Sequence, residues 1–579
     1  MSQHQTNRQL KEMGSETDAI HKKLTDARSG GRITLLKAYI GLSGPGWMQS
    51  ALTLGGGSLA ASLYLGIVGG TEFLWLQPLA VVMGIIMLSA VFYVVLSTGK
   101  NPFHLLDCHM GPVIAWSWLL GAGIACVVWA FPQFSLATAV VQENLLPDVF
   151  GPSGYFDPPV SQLIICIVMA SVAAGLVWAY DAGIRAARLF DIFLKSLIAM
   201  MFLAFFGVLI RVSMSGGGVA WSNVVSGLVP DFSMLTTPVD SFKPYILAVD
   251  VEFRDFWIDL ITREQRDLII STAAIVVGVN STVLLSYSML KKGWNRDFRE
   301  LAIFDLSTGF FIPFVLITGC MVVVSATLFH TKPVEGLVEE HVTASKNMVE
   351  RFENIKRDRV IHELQKTGES ITETEVINRM NNLGQADKRM AAMLVHRDAF
   401  DLSQSLQPLT GDLFSHFIFG LGVLGLAIST VIIQMVTWGF VTCEILNLPK
   451  HGWPYRIGSL PPAVGILAPF IWTGKAQFWL VVPTSLFVAI LLPIAYISFA
   501  LLMNKKSILG VDMPTGPRRA GWNTLMALAT LFALFGSMWS MWSRIGWWAV
   551  VVVASYLLLA LAAYLIRNRY FPRHRKEQV

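Results

Sequence analysis

Apolar segments long enough to cross a bilayer recur along the chain and are separated by polar stretches. A transmembrane helix needs roughly 20 predominantly apolar residues. By this criterion the sequence predicts an all-α polytopic membrane protein with about twelve transmembrane helices. The expected spans lie near 44–66, 73–97, 112–141, 160–180, 188–213, 267–290, 307–329, 411–440, 458–473, 476–503, 523–542 and 545–566.

The first span is interrupted near its middle by Gly55, Gly56 and Gly57, which are followed by Ser58. Each glycine costs a helix interior about 1 kcal/mol relative to alanine. Unwound backbone survives within a bilayer only where it is buried in protein or lines a wet cavity. The pattern therefore indicates either a broken helix that forms a substrate site or an intact helix whose glycines allow close packing.

The sixth span carries a second interruption, at Asn280, Ser281 and Thr282. The first span is the first of spans 1–5, and the sixth is the first of spans 6–10. Matching interruptions in two halves of a chain indicate an inverted repeat with its binding site near the membrane midplane. A polar patch that hydrogen-bonds between helices is the alternative. The expected substrate-binding residues, with unwinding at 55–58 and 279–282, are Gly55, Gly56, Gly57, Ser58, Asn280, Ser281 and Thr282.

Composition and charge agree with a membrane location. Hydrophobic residues make up 54% of the chain and charged residues 14%, whereas soluble domains carry roughly 25% charge. Lys and Arg are absent from the loops at 67–72 and 142–159 and frequent in the alternate loops and the C-terminal tail. The positive-inside rule then predicts an integral protein of the cell inner or plasma membrane, with both termini in the cytoplasm.

The changes in composition predict five regions. These are a cytosolic arm at 1–36, helices 1–7 at 37–330, an extracytoplasmic helical insertion at 331–408, helices 8–12 at 409–566 and a basic cytosolic tail at 567–579. Four histidines in or beside the insertion have no metal-ligand spacing and are interpreted as solvated surface residues: His330, His341, His362 and His396.

Few ionisable groups fall within the spans, where such groups are functional candidates. Asp191 and Lys195 stand four residues apart and could pair on one helical face, while Asp305 is expected to cap a helix. Gln434 could face either the site or a neighbouring helix. The five cysteines form no CxxC motif, and no phosphate loop or nucleophile motif is present. The sequence predicts no enzyme, no cofactor and no nucleic-acid partner.

Several segments resemble the Nramp family of proton-coupled divalent metal transporters. They are GPGW at 44–47 with the ungapped stretch to Leu74 and Trp75, FDLSTG at 304–309, FH at 329–330, PLTGDL at 408–413, STV at 429–431 and LLPIAY at 491–496. The resemblance covers roughly 35–330 and 405–505. It implies the LeuT-type fold, in which spans 1–5 and 6–10 are inverted repeats and the first and sixth are unwound.

The resemblance fails at the residues that would bind the ion. The family's Asp-Pro-Gly-Asn corresponds to Gly55–Ser58, and its Met-Pro-His corresponds to Asn280–Thr282. A glutamine expected in the tenth span corresponds to Leu491. The usual carboxylate, thioether and histidine ligands are therefore missing, although hard divalent cations usually take at least one carboxylate.

Three interpretations remain open at this point. The first is an Nramp-like secondary transporter that binds a metal ion through water and neutral oxygens. The second is a transporter of another small solute, an anion or a zwitterion, held at the positive end of a half-helix near Ser58. The third is a receptor or scaffold that does not transport. All three place the chain in the bilayer.

Overall fold

The computed structural model describes residues 20–214, 218–334, 336–338, 346–368, 371–395, 397, 402, 407, 411, 413–471 and 481–570. All regular structure within these ranges is helical. The expectation of an all-α membrane protein is confirmed.

The N-terminal half begins with α1 (20–29) and contains the following helices. They are α2 (Arg32–Leu42), α3 (Pro45–Thr53), α4 (Gly56–Gly69), α5 (Leu76–Thr98), α6 (Pro102–Met110), α7 (Pro112–Val140), α8 (Pro147–Phe150), α9 (Pro158–Ala182), α10 (Ile184–Met214), α11 (Trp221–Ser226), α12 (Lys243–Ala248), α13 (Arg254–Val276) and α14 (Val279–Lys291).

The C-terminal half continues with further helices. They are α15 (Arg299–Asp305), α16 (Ile312–Phe329), α17 (Lys346–Thr367), α18 (Glu373–Asn381), α19 (Gln385–Met393), α20 (Phe419–Ile445), α21 (Trp453–Gly458), α22 (Ala468–Ile471), α23 (Val481–Ala489), α24 (Leu492–Met503), α25 (Lys506–Leu509), α26 (Gly516–Ile545) and α27 (Trp548–Tyr570). Short π-helical segments precede α16 and α20, at Leu306–Phe311 and Leu413–Ile418.

Ten of the expected spans have the length and apolarity to cross a membrane. Within the described ranges, eight single helices qualify, and two bent pairs raise the number to ten. The sixth span is divided between α13, which carries several charges, and α14. The ninth is a series of short pieces, 453–458, 461–467 and 468–471, in the segment crowded by Pro461, Pro462 and Pro469, as proline disrupts helix interiors.

The centre of the bundle is built around α4. Every residue of α4 is buried, and the helix packs along α16 and α13. Its glycines permit these close approaches: a Cβ on Gly66 would lie 1.9 Å from Ser325 Oγ and 2.6 Å from Val322 O. On another side of the core, α7 packs along α20. The two broken spans are thus enclosed by unbroken helices.

The described part of the 331–408 insertion is helical, as expected. Its helices α17 and α18 enclose a small core of Val360, Leu364, Val376, Met380 and Leu383, whereas the buried residues of α19 belong to the main core. The insertion is joined to the start of α13, because Asp387 Oδ1 accepts hydrogen bonds from Trp257 Nε1 at 2.8 Å and from Arg359 Nε at 3.0 Å. Its location on the non-cytoplasmic side stays a prediction.

Two of the four histidines differ from the expected solvated state. His330 is largely buried, with Nδ1 2.9 Å from Ile67 O and Nε2 2.6 Å from Ser241 Oγ. His362 lies against the Phe256 ring, with 5.5 Å between centroids. His330 therefore joins the ends of two core helices to the connection at 218–253. His341 and His396 lie outside the described residues.

Candidate functional site

The first span is broken at Leu54 and Gly55. The two half-helices α3 and α4 meet at an angle of 59°, and Gly55 has extended backbone angles of φ −116° and ψ −175°. The break is shorter and begins earlier than the expected 55–58, because Gly56, Gly57 and Ser58 form the first turn of α4. A helix can begin at such residues since its first amides have no intrahelical partners and take side-chain acceptors instead.

The second break also lies earlier than expected, at Val277 and Gly278. Val277 is extended, with φ −141° and ψ 103°, and α14 begins at Val279. Asn280, Ser281 and Thr282 therefore occupy the first turn of α14, instead of an unwound segment at 279–282. Small polar residues are favoured at helix starts because their side chains can bond to the nearby free backbone amides.

A small cavity with both polar and apolar lining residues lies between the two breaks. Its volume is about 30 Å³, which is room for one or two water molecules. Residues from both broken spans and from α7 and α20 surround it. They are Leu52, Thr53, Gly55, Gly57, Trp129, Gln133, Ile275, Gly278, Asn280, Ser281, Thr430 and Gln434.

Four of the seven expected site residues line this cavity: Gly55, Gly57, Asn280 and Ser281. The other three form hydrogen bonds with residues around the cavity. The Gly56 amide donates to Gln133 Oε1 at 2.8 Å, and the Ser58 hydroxyl donates to Thr53 O. Thr282 Oγ1 accepts from Trp118 Nε1 at 2.8 Å.

A buried glutamine joins the two breaks directly. Gln49 Nε2 donates to Thr53 Oγ1 at 2.8 Å and to Ser281 Oγ at 3.0 Å. Thr53 Oγ1 in turn donates to Val276 O at 3.1 Å. The ends of α3 and α13 are therefore held side by side, which places the cavity between them.

Sequence reasoning did not identify the cavity residues contributed by α7 and α20, except that it left Gln434 undecided. Gln133, Thr430 and Gln434 are all buried. Thr430 Oγ1 donates to Ala51 O at 3.2 Å, whereas Gln434 Oε1 is buried without a hydrogen-bond partner in the described part of the chain. An amide within an apolar span was the available signal, but periodicity alone could not tell a site from a helix contact.

The cavity carries no formal charge. No Asp, Glu, His, Lys or Arg side chain lines it. Across the residues that the structure describes, no group of three or more His, Cys, Asp and Glu could hold a metal ion. Leu491 packs against Gly121 and is not among the lining residues. What the cavity offers is a set of amide and hydroxyl oxygens.

Charged side chains gather instead near the start of α3. Asp191 pairs with Lys292, with 3.1 Å between Oδ2 and Nζ, so the proposed Asp191–Lys195 pair is wrong. Lys195 Nζ donates to Ser43 O at 3.2 Å, because the chain entering α3 lies between the two groups. This end of the broken span is thus fixed by charged contacts away from the cavity.

Asp305 caps α3, as a helix-capping role predicts. Its Oδ2 accepts from Gly46 N at 2.6 Å and from Gly44 N at 3.2 Å. Only a glycine fits at position 46, because a Cβ there would lie 2.2 Å from Asp305 O. A carboxylate at this position also interacts favourably with the positive end of the helix dipole.

The model of the family described as "Natural resistance-associated macrophage protein-like" (Nramp) matches residues 387–543. This range includes the similar segments at 408–413, 429–431 and 491–496, whereas those before residue 331 lie outside it. A search of curated proteins finds no significant match.

Solved structures of a manganese transporter from Eremococcus coleocola are similar in fold. A histidine-to-alanine variant is 10% identical, with a TM-score of 0.59 over 92% of this chain and 94% of that one. A complex of the transporter with an aromatic bis-isothiourea substituted compound is 11% identical, with a TM-score of 0.59 over 92% of this chain and 95% of that one.

A bundle of apolar helices around a polar cavity, with a broken helix opening each set of five, defines a membrane protein of the LeuT-type fold. Its residues 387–543 match the Nramp family model, and its fold is similar to that of a manganese transporter.

Proposed function

We propose that the chain is a secondary transporter that carries a metal ion across the membrane through the cavity between its two helix breaks. The observation that supports this most is Gln434 Oε1, a buried carbonyl oxygen of a cavity-lining residue that receives no hydrogen bond in the described structure. Leaving such an acceptor unsatisfied costs roughly 1–3 kcal/mol. A cation bound to Gln434 Oε1, or a water that lies between this oxygen and a cation, removes that cost.

The solute alternative is less well supported. An anion would need donors at the start of α4, and one of them, the Gly56 amide, already donates to Gln133 Oε1. The unsatisfied group in the cavity is an acceptor, which attracts a cation and repels an anion. No observation favours a receptor or scaffold role. The same reasoning makes the chain a carrier and not an enzyme.

The size of the cavity and its ligands constrain the ion. The cavity has room for one or two waters beside the protein oxygens. The proposed ligands are Asn280, Ser281, Thr430 and Gln434, beside the backbone at Gly55 and Gly57. Without a carboxylate the affinity is low, and without a thioether or imidazole the site discriminates weakly between Mg²⁺ and Mn²⁺.

The proposed orientation places both termini in the cytoplasm. Lys291, Lys292, Arg456 and Arg567 lie at the ends of spans and form ion pairs with acidic side chains there. The positive-inside rule assigns these ends to the cytoplasm. The 331–408 insertion then lies on the opposite side.

Ion flux into liposomes tests the proposal. Full-length protein would be reconstituted in liposomes that contain either a Mn²⁺-quenched dye or a Mg²⁺-sensitive dye, and the wild type should admit both ions. We expect Gln434→Leu to lower uptake roughly tenfold through loss of one ligand. The matched control is Gln77→Leu, since Gln77 is also buried with an unpartnered Oε1 but does not line the cavity. Equal losses in both variants, or no wild-type uptake, would contradict the proposal.

A further inference from the structure

The two helices that precede the first span form an open cationic cleft. Helices α1 (20–29) and α2 (Arg32–Leu42) are joined by a tight turn at Gly30 and Gly31. The cleft between them measures about 650 Å³ and is lined by Lys22, Lys23, Asp26, Ala27, Thr34, Lys37 and Ala38. It is separate from the cavity between the helix breaks and plays no part in the proposed transport.

The hairpin is fixed to the bundle, so the cleft has a defined shape. Arg28 lies 3.5 Å from Glu300 and donates to Asp297 O at 2.9 Å. Tyr39 donates to Glu300 Oε2 at 3.3 Å, and Leu24 is buried against the core. These contacts engage one face of the hairpin and leave the lysine face open.

The cleft has the charge of an anion site. Lys22, Lys23 and Lys37 are exposed, and none of them forms an ion pair with another described residue. Asp26 is the one acidic side chain of the lining. The Thr34 hydroxyl donates to Gly30 O at 2.9 Å, so the charge balance rests on the lysines. Three ammonium groups against one carboxylate favour a phosphate group, which lysines bind as point charges.

An exposed apolar stripe runs beside the lysines. Ile33, Leu36 and Ile40 are 72%, 48% and 60% exposed. Their i, i+3, i+7 spacing places them on one face of α2, and Lys37 neighbours Ile33 and Ile40 at four and three residues. Helix α2 ends three residues before Pro45, where the first span begins. The stripe therefore lies at the level of the membrane surface.

We infer that this cleft binds the phosphate headgroup of an anionic lipid in the leaflet at the basic end of the bundle. The lysines contact the phosphate, and the Ile33–Leu36–Ile40 stripe lies along the acyl chains. A basic surface next to an apolar helix face binds anionic bilayers in this way. Free phosphate would use the lysines but leave the apolar stripe in water.

Native mass spectrometry of the full-length protein in detergent tests this site. The added lipids would be phosphatidylglycerol and phosphatidylcholine with the same acyl chains, and inorganic phosphate would form a third arm. We expect the wild type to retain phosphatidylglycerol about tenfold better than phosphatidylcholine. The triple variant Lys22→Gln/Lys23→Gln/Lys37→Gln should lose that preference.

Two further variants separate the cleft from general charge and from misfolding. Lys100→Gln/Lys506→Gln/Arg518→Gln removes equal charge at the same end of the bundle and should keep the preference. Lys22→Arg/Lys23→Arg/Lys37→Arg should keep it as well, and provides a folded comparison should the glutamine variant not fold. Equal retention of both lipids by the wild type, loss of preference in the control triple or in the arginine triple, or displacement of the lipid by inorganic phosphate would overturn the inference.

Discussion

At the scale of single residues, the two breaks contribute few possible ligands to the proposed site. Gly55 and Gly57 contribute only backbone to the cavity, and Asn280 and Ser281 contribute an amide and a hydroxyl. Ser58, which aligns with a ligand in the family pattern, bonds instead to Thr53 O. Restoring a family ligand therefore depends on the space around each position.

Gly55 is the position at which a carboxylate would face the cavity. Its φ of −116° suits any residue, so the obstacle is Thr430, whose Oγ1 lies 2.4 Å from where a Cβ would be. We expect Gly55→Asp alone to lower the free energy of unfolding by about 1–3 kcal/mol through overpacking. Gly55→Asp/Thr430→Ala should recover part of this loss and gain stabilisation by Mn²⁺, because the new carboxylate is a hard anionic ligand.

Thermal unfolding in detergent, with and without Mn²⁺, measures both effects. Thr430→Ala alone is the control and should show no gain with Mn²⁺. The placement of Gly55 against Thr430 at the cavity would be wrong in either of two cases. One is a Gly55→Asp variant as stable as the wild type, and the other is a double variant whose thermal stability does not rise with Mn²⁺.

Sequence reasoning located both breaks because glycines and small polar residues are unusual in the middle of apolar spans. It displaced them by one or two residues, since Gly56 or Asn280 can end an unwound segment or begin a helix equally well. It missed Gln133 and Thr430 because the face that a residue of an unbroken helix presents depends on how α7 and α20 pack. The sequence around a residue does not show how its helix packs against the others.

At the scale of elements, α3 is the half-helix held by the most polar contacts at its start. Asp305 accepts from Gly44 and Gly46, and Ser50 Oγ donates to Gly309 O at 2.7 Å. Every residue of α4 and all residues of α3 except Trp47 are buried, so the difference between the two half-helices lies in these polar contacts. Removing the Asp305 cap should therefore weaken the start of α3 more than it weakens α4.

Asp305→Ala should loosen α3 selectively. Two backbone amides would lose their acceptor, and loss of a helix cap costs about 0.5–2 kcal/mol. We expect hydrogen exchange within residues 45–53 to accelerate by roughly tenfold, while exchange in α4 stays unchanged. Ser307→Ala, on the same segment but exposed, is the control. Uniform acceleration across both half-helices would show that Asp305 stabilises the whole bundle and not α3 alone.

At the scale of the whole molecule, the insertion is packed partly on itself and partly against the bundle. The insertion has a small core of its own between α17 and α18, whereas the buried residues of α19 belong to the main core. Two polar contacts add to this attachment: Trp257 at the start of α13 donates to Asp387, and Arg397 donates to Phe329 O at 3.1 Å. Both contacts lie at helix ends, away from the cavity. The composition change at 331–408 was visible in the sequence, whereas its attachment at Trp257 required the fold.

Replacing residues 345–395 by a short Gly/Ser linker should leave membrane insertion intact. Insertion depends on the apolar spans, but the fully buried Trp257 would become exposed, so thermal stability should fall. Resistance to alkaline extraction measures insertion, and thermal unfolding measures stability. If the protein no longer entered the membrane, the insertion would be part of the core fold.

The central claim is that the cavity between the breaks at 54–55 and 277–278 holds the transported ion. Anomalous diffraction from crystals soaked in Mn²⁺ tests it most directly. The account predicts one manganese peak in the cavity, within direct or one-water reach of Gln434 Oε1, and its absence in Gln434→Leu crystals under the same conditions. A manganese peak elsewhere in the bundle, or an unchanged peak in Gln434→Leu, would contradict the account.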